Sequence, residues 1–239
     1  PGMLRCANAT FCVFHKQQCD GVNHCPLGDD EEYCNSAPCL DGCRCHAGAM
    51  ICVIVSNPSN MFHLNYDYIK LFVLTDTEMT YKSDMFRGLT NLYELILSNT
   101  SIVQICISPK TTIFSHPSNL QMLHIMNNKM DDIGSKCLKN VFNLKKLTIV
   151  KCKLKNLKSG SFYGIENLLF LNLSYNLITH LKAHTFSGLK KIQIIDLRKN
   201  PIYLIDKDVF GGLFVSERLY TDDARVCCYG TVSMVQCYR

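Results

Sequence analysis

One apolar template recurs seven times along this chain, and its spacing leaves few folds open. It reads L-x-x-L-x-L-x-x-N-x-L, followed by a Phe and usually by Gly-Leu. The clear copies are Leu92/Leu95/Leu97, Leu120/Leu123/Ile125, Leu144/Leu147/Ile149, Leu168/Leu171/Leu173 and Ile192/Ile195/Leu197. A weaker copy, Tyr68/Leu71/Val73, precedes them, and a decayed one, Ser216/Leu219/Thr221, follows. The middle positions 71, 95, 123, 147, 171, 195 and 219 are 24, 28, 24, 24, 24 and 24 residues apart. A unit of that length cannot bury its own apolar face, so the copies must stack on one another. Alternate apolar residues of a short strand then point into the stack, and the residues between them point out.

The template resembles the leucine-rich repeat. That resemblance implies an α/β-type solenoid with short parallel β-strands on its concave side and an irregular or short-helical convex side. The Asn column (Asn128, Asn176, Asn200) supplies an amide that can bond the backbone of neighbouring turns, and Thr100 and Cys152 stand in the same column. Cys152 reads as a small buried side chain rather than a reactive thiol. The Phe column (Phe86, Phe114, Phe162, Phe186, Phe210, with Leu138 substituting) reads as core behind the strands. The four extra residues of the 28-residue step fall in the segment from Cys106 to Thr112, on the outer side. A disulfide between Cys106 and Cys137, in adjacent repeats, is one option for those thiols.

Fifteen cysteines set the compartment. Nine lie in the first 52 residues and three in the last thirteen, as expected of disulfide-stapled caps on an extracellular protein. Neither cluster has the paired C-x-x-C spacing of a zinc site. Three N-x-S/T sequons, at Asn8, Asn99 and Asn172, agree with secretion. No apolar run reaches the roughly 18 residues of a membrane-spanning helix. The net charge of +5 is mild, and Lys and Arg are interspersed with acids along the chain, which argues against nucleic acid as a partner. No Gly-rich phosphate loop, G-x-S-x-G or H-E-x-x-H is present, so no enzyme is expected and no catalytic residue is named.

Residues 6–34 read C-x5-C-x6-C-D-G-V-N-H-C-x3-D-D-E-E-Y-C in outline. The run resembles a low-density-lipoprotein receptor class A module entered after its first cysteine. The resemblance implies the pairs Cys6–Cys25 and Cys19–Cys34 and leaves Cys12 without its usual partner. It also implies one calcium ion, the single cofactor expected of this chain. Asp20, Asp30 and Glu31 match carboxylate ligands, Gln17 and Val22 match carbonyl ligands, and His24 stands where the family has a fourth Asp. Oxygen ligands in that number suit a hard divalent cation. Next, Cys39-x3-Cys43-x-Cys45-x6-Cys52 resembles the amino-terminal cap of leucine-rich repeat ectodomains, which implies Cys39–Cys45 and Cys43–Cys52. The boundaries that follow are 1–36 for the module, 37–60 for the cap, 61–215 for the repeats and 216–239 for a carboxy-terminal cap or hinge.

The outward residues of the strands define a candidate ligand face. They include Phe72, Glu94, Ile96, Met122, His124, Met126, Thr148, Val150, Phe170, Ile194, Asp196 and Arg198, many of them apolar. An exposed apolar strip marks a partner surface. The tail Leu219-Tyr220-Thr221-Asp222-Asp223, followed by Cys227-Cys228, completes an order that resembles the ectodomain of leucine-rich-repeat G-protein-coupled receptors, in particular the relaxin-receptor-like branch. This implies a peptide or protein hormone on the concave face and a seven-helix membrane domain outside this chain. It places the chain on the extracellular side of the plasma membrane. In that branch hormone arginines meet acidic side chains on the inner strands, where this sequence has only Glu94 and Asp196, with Asp222 at the tail. The alternative is a secreted leucine-rich repeat binding protein without a membrane domain.

Overall fold

The computed structural model describes residues 3–6, 12–14, 22–32, 39, 42–46, 48–53, 66, 68–78, 81, 85–108, 111–114, 119–211, 213, 217–228 and 235–238. Near the amino terminus β1 (Met3–Arg5) pairs antiparallel with β2 (Cys12–Phe14), and α1 (Asp29–Glu32) follows. Cys6 is bonded to Cys25. The antiparallel hairpin of β3 (Cys43–His46) and β4 (Ala49–Val53) carries two further disulfides, Cys39–Cys45 and Cys43–Cys52.

From β4 onward the chain climbs as a parallel solenoid. Its inner strands are β5 (Leu71–Thr75), β6 (Glu94–Ser98), β9 (Met122–Met126), β10 (Lys146–Val150), β11 (Phe170–Asn172), β13 (Ile194–Asp196) and β15 (Glu217–Tyr220). A last strand, β16 (Val235–Tyr238), adds in parallel to β15 after the short helix α2 (Ala224–Cys228). Together they form one ten-stranded sheet with β3 at one edge and β16 at the other. The 24-residue step converts directly into register, for Leu123, Leu147, Leu171, Ile195 and Leu219 lie side by side on consecutive strands. The outer side has turns and three small pieces of strand pairing. These are β7 (Cys106–Ser108) with β8 (Thr111–Thr112), β12 (His180–Leu181) with β14 (Leu204–Ile205), and an isolated bridge from Asp132 to Asn156. This is a leucine-rich repeat solenoid, with little helix and with disulfide-bonded cysteines near its amino terminus.

Two internal columns hold the rungs together. Phe86, Phe114, Phe162, Phe186 and Phe210 are buried one above another, with Leu138 filling the gap. Ring centroids are 6.1 Å apart for Phe86–Phe114, 5.9 Å for Phe162–Phe186 and 5.3 Å for Phe186–Phe210. The second column is polar. Asn176 accepts from the Cys152 and Leu154 amides at 2.9 and 3.2 Å and donates to the carbonyls of Ile149 and Leu173 at 2.6 and 2.9 Å. Asn128 does the same between Thr100, Ile102, Leu97 and Met126. One amide therefore satisfies backbone groups on two rungs that the tight turns would leave unpaired inside the stack. Cys152, which replaces Asn, is fully buried, and its thiol donates to the Ile125 carbonyl at 3.3 Å.

The 28-residue step is absorbed by the β7–β8 hairpin on the outer side, and Cys106 in it is bonded to Cys137 of the next rung. Gly134 turns the chain there with φ +73°, and a Cβ at this position would collide with the Cys137 sulfur.

The first rung corrects the sequence reading. Phe72 and Leu74 are the buried residues of β5, while Leu71, Val73 and Thr75 are half-exposed. Phe72, expected on the ligand face, is instead core, with its ring edge-on to Phe86 at 6.3 Å. The pairing of β5 with β6 sets Phe72 beside Leu95 and Val73 beside Ile96. The step from the first rung to the second is thus 23 residues, and the template copy Tyr68/Leu71/Val73 was one position out of phase. A shift of one residue exchanges the two faces of a strand.

Candidate ligand-binding face

The inner sheet presents three rows of side chains, one for each outward position of a strand. Across the middle row run Ile51, Val73, Ile96, His124, Thr148, Asn172, Asp196 and Tyr220, in register from β4 to β15. The row below them holds Leu71, Glu94, Met122, Lys146, Phe170, Ile194 and Arg218, and the row above holds Val53, Thr75, Ser98, Met126 and Val150. The rows divide along the solenoid. From β4 to β9 most outward side chains are apolar, with Thr75, Glu94, Ser98 and His124 interspersed, and Ile51 and Val53 are 42% and 46% exposed. From β10 to β15 the face carries Lys146, Arg198 and Arg218 among fewer apolar groups.

The polar groups on this face are already engaged. Glu94 sits 3.4 Å from His124 across β6 and β9. Burial pushes the His124 imidazole below its ordinary pKa, outweighing the opposite pull of Glu94, and Lys146 acts in the same direction as burial. Asp196 is only 5% exposed and grips Arg198 through two contacts of 3.0 and 2.6 Å while also accepting the Arg198 backbone amide. The Arg198 guanidinium in turn lies over the Tyr220 ring at 5.0 Å, and Lys146 lies over the Phe170 ring at 5.5 Å. Thr148 is 8% exposed, a short residue between His124 and Asn172 in its row. The face is therefore a trough, deepest at Thr148 and Asp196, between longer side chains.

Of the expected ligand-face residues, Glu94, Ile96, Met122, His124, Met126, Thr148, Val150, Phe170, Ile194, Asp196 and Arg198 lie on this one surface. Leu71 and Val73 also belong to it and were missed, since the phase slip hid them behind Phe72. Ile51 and Val53 were missed too. They precede the first template copy, and only the pairing of β4 with β5 extends the face to them. Asn172 sits in the trough, half-buried, with its carbonyl accepting the Ser174 amide at 2.9 Å. Asn99 is exposed at the edge with φ 52°, and its amide nitrogen donates to Asp76 at 2.7 Å. Asn8 lies outside the described residues.

In the amino-terminal module Asp30 is buried, and its carboxylate accepts the His24 amide at 2.6 Å. Val22 is 56% exposed. Glu31 falls in α1 with its side chain undescribed, while Asp20, Gln17 and the pair Cys19–Cys34 lie outside the described residues. The grouping of Cys6, Cys25 and Asp29 is not a metal centre, because the two sulfurs are joined to each other rather than present as thiolates. No helix among the described residues is long and apolar enough to cross a membrane.

Residues 142–202 match the leucine rich repeat family. No curated protein matches the chain. Among solved structures, human 5T4 (Wnt-activated inhibitory factor 1, trophoblast glycoprotein) is 17% identical, with 84% of this chain and 89% of that one aligned at a TM-score of 0.53. Toll in the Drosophila Toll–Spatzle complex is 20% identical over 72% of this chain, at a TM-score of 0.57. TLR13 in its complex with ssRNA13 is 21% identical over 70% of this chain, at 0.50. The chain spans about a quarter of the TLR13 and Toll chains, 26% and 24%. These likenesses are of fold. Together with the repeat match over residues 142–202 they show a leucine-rich repeat solenoid, joined near its amino terminus to disulfide-bonded cysteines.

Proposed function

We propose that this chain is the ligand-recognition part of a receptor ectodomain and holds a peptide or protein on its concave face. The observation that carries the reading is the apolar half of that face. Ile51, Val53, Val73, Ile96, Met122 and Met126 point away from the stack and have no packing duty within it. A mainly apolar strip interspersed with a few polar groups is what a docking partner covers. The cationic half adds a preference. With Asp196 occupied by Arg198, and with burial disfavouring the charged form of the His124 imidazole beside Glu94, Glu94 is left as a lone carboxylate charge among the described outward residues, little to offer a hormone bearing several arginines. It suits a ligand with an apolar segment and an acidic one. Placement within the relaxin-receptor-like branch, ahead of a seven-helix domain, rests on the cysteine module, the cap and the Thr221-Asp222-Asp223 tail. Reading the coding sequence beyond Arg239 tests it, because seven apolar segments must follow; an early stop instead favours the secreted alternative.

The test of the face itself uses peptides displayed on phage and selected on the immobilised chain. Selected binders should compete with one another, lose Met126→Glu and keep Val103→Glu, whose exposed side chain lies off the trough. Binders indifferent to Met126→Glu would move the site elsewhere. We further propose that the amino-terminal module holds calcium through the carboxylates of Asp20, Asp30 and Glu31 and the carbonyls of Gln17 and Val22. The inward-turned Asp30 carboxylate is the supporting feature. Calorimetry with no heat of binding at millimolar calcium would remove this.

A further inference from the structure

The charge of the chain is segregated by the fold. Residues 121–213 hold fifteen Lys and Arg against six Asp and Glu, a net +9 in a chain whose total is +5. In sequence these lysines are dispersed. In the solenoid the 24-residue register gathers several of them on one edge, where the chain leaves each inner strand. There the chain alternates. Cys152, Leu154, Asn176 and Ile178 turn inward, while Lys151, Lys153, Tyr175 and Leu177 turn outward. Asn127, Lys151, Tyr175 and Lys199 occupy equivalent positions on successive rungs, all with φ between 54° and 58°. Lys129 and Lys153 form a second column two residues on. Parallel strands lie about 4.8 Å apart, so Lys129 and Lys153 stand about 5 Å apart and Lys151 and Lys199 about 10 Å apart along the edge.

Among the described residues, Lys129, Lys151 and Lys153 have no acidic partner. The acids of these rungs are committed nearby, Asp131 to Lys155 at 3.1 Å and Asp132 to Lys158 at 2.6 Å. Lys151 lies over one face of the Tyr175 ring at 5.6 Å, and the residue stays 52% exposed. Asp222, bonded to the Lys199 amide, and the Asn99–Asp76 pair bound the strip at its two ends.

We infer that this edge binds a sulfated polysaccharide, a site distinct from the concave trough. The partner must be a linear polyanion, since the cations are spaced along one line and exposed. Lysine ammoniums are compact point charges, suited to sulfate groups without fork-shaped geometry. Single-stranded nucleic acid needs a succession of aromatic platforms for its bases, and among the described residues Tyr175 is the one ring in this column. Anionic lipid is concentrated on the cytoplasmic leaflet, whereas the disulfides place this chain outside.

The experiment compares the whole chain with K129Q/K151Q/K153Q, and with K139Q/K182Q/K207Q, which removes the same charge from other exposed positions. Affinity for heparin is measured at about 0.15 M salt, beside a poly-thymidine oligonucleotide and phosphatidylserine vesicles. The edge variant should lose at least tenfold for heparin and the control less than twofold. Both variants should melt with the parent, since their side chains are exposed. Equal losses in the two variants would overturn the inference, as would no heparin binding by the parent. Binding of the oligonucleotide or the vesicles as tight as that of heparin would overturn the assignment to a sulfated glycan.

Discussion

The rungs at β9 to β13 and the rung at β5 use the same architecture, yet only the former announce their phase. In β9 the sequence Met122-Leu123-His124-Ile125-Met126 alternates, with His124 marking the outward side. In β5 the first four positions, Leu71-Phe72-Val73-Leu74, are all apolar, and only Thr75 at the end of the strand marks the outward side. What decides the phase of β5 is its neighbours. Phe72 meets the Phe86 ring, and Leu74 aligns with Leu97. A repeat is thus readable where a polar residue breaks the symmetry of the strand, and otherwise must borrow its phase from the rung it packs on.

The strongest way to break this comparison is to truncate β5. Phe72→Ala removes a fully buried ring beside Phe86 and should cost about 3–5 kcal/mol. Leu71→Ala on the outward side should cost under about 1 kcal/mol. Chemical denaturation of the oxidised chain measures both. If Leu71→Ala proved the more damaging, β5 would have the other phase.

Next comes the polar column. Asn176→Ala leaves the Cys152 and Leu154 amides and the Ile149 carbonyl without that side chain in a sealed interior, while the Leu173 carbonyl keeps the Asn200 amide at 2.9 Å. Each such orphan costs about 1–3 kcal/mol, and the loss should total several. Asn200→Ala should cost roughly half as much, since Asn200 is half-exposed and accepts from the Ile178 amide alone. Equal losses would mean that these amides position the rungs without being buried in them.

On the inner face the expected effects are small. Met126→Glu and Phe170→Glu should change stability by under about 1 kcal/mol while abolishing partner binding, because both side chains point out of the stack. A large destabilisation would show that the face is covered by chain rather than open to a ligand.

How far the sequence carried the reading follows from the same physics. Strand register, the Phe column and the Asn column repeat every 24 residues, and a strict period survives translation into three dimensions. The same period placed Cys106 and Cys137 in adjacent repeats, which made their bond one option, and the hairpin that brings them together appears only in the structure. The basic edge was not legible. Lys129, Lys151, Lys153 and Lys199 are scattered in sequence and meet only through the register of the turns. Nor was the engagement of Glu94 by His124, or of Asp196 by Arg198, since cross-strand and turn contacts depend on rotamers. A list of outward residues therefore names the surface without saying which of its charges are spent.

The smallest effect concerns the two thiols, Cys152 in a regular rung and Cys228 at the end of α2. Burial pushes the Cys152 thiol up to about 11, whereas Cys228 is exposed and free. The thiolate is the species that alkylates, so its fraction sets the rate. At pH 8 iodoacetamide should label Cys228 within minutes and leave Cys152 unmodified until the chain is unfolded, as read by mass spectrometry of peptides. Cys152 is silent for two reasons that can be separated. Raising the pH to about 11 populates its thiolate, and where circular dichroism shows the chain still folded, labelling that waits for denaturant assigns the protection to packing. Labelling that rises with pH in the folded chain would instead mean that the rung at β10 opens to solvent, and the regular rungs would then be no tighter than the first.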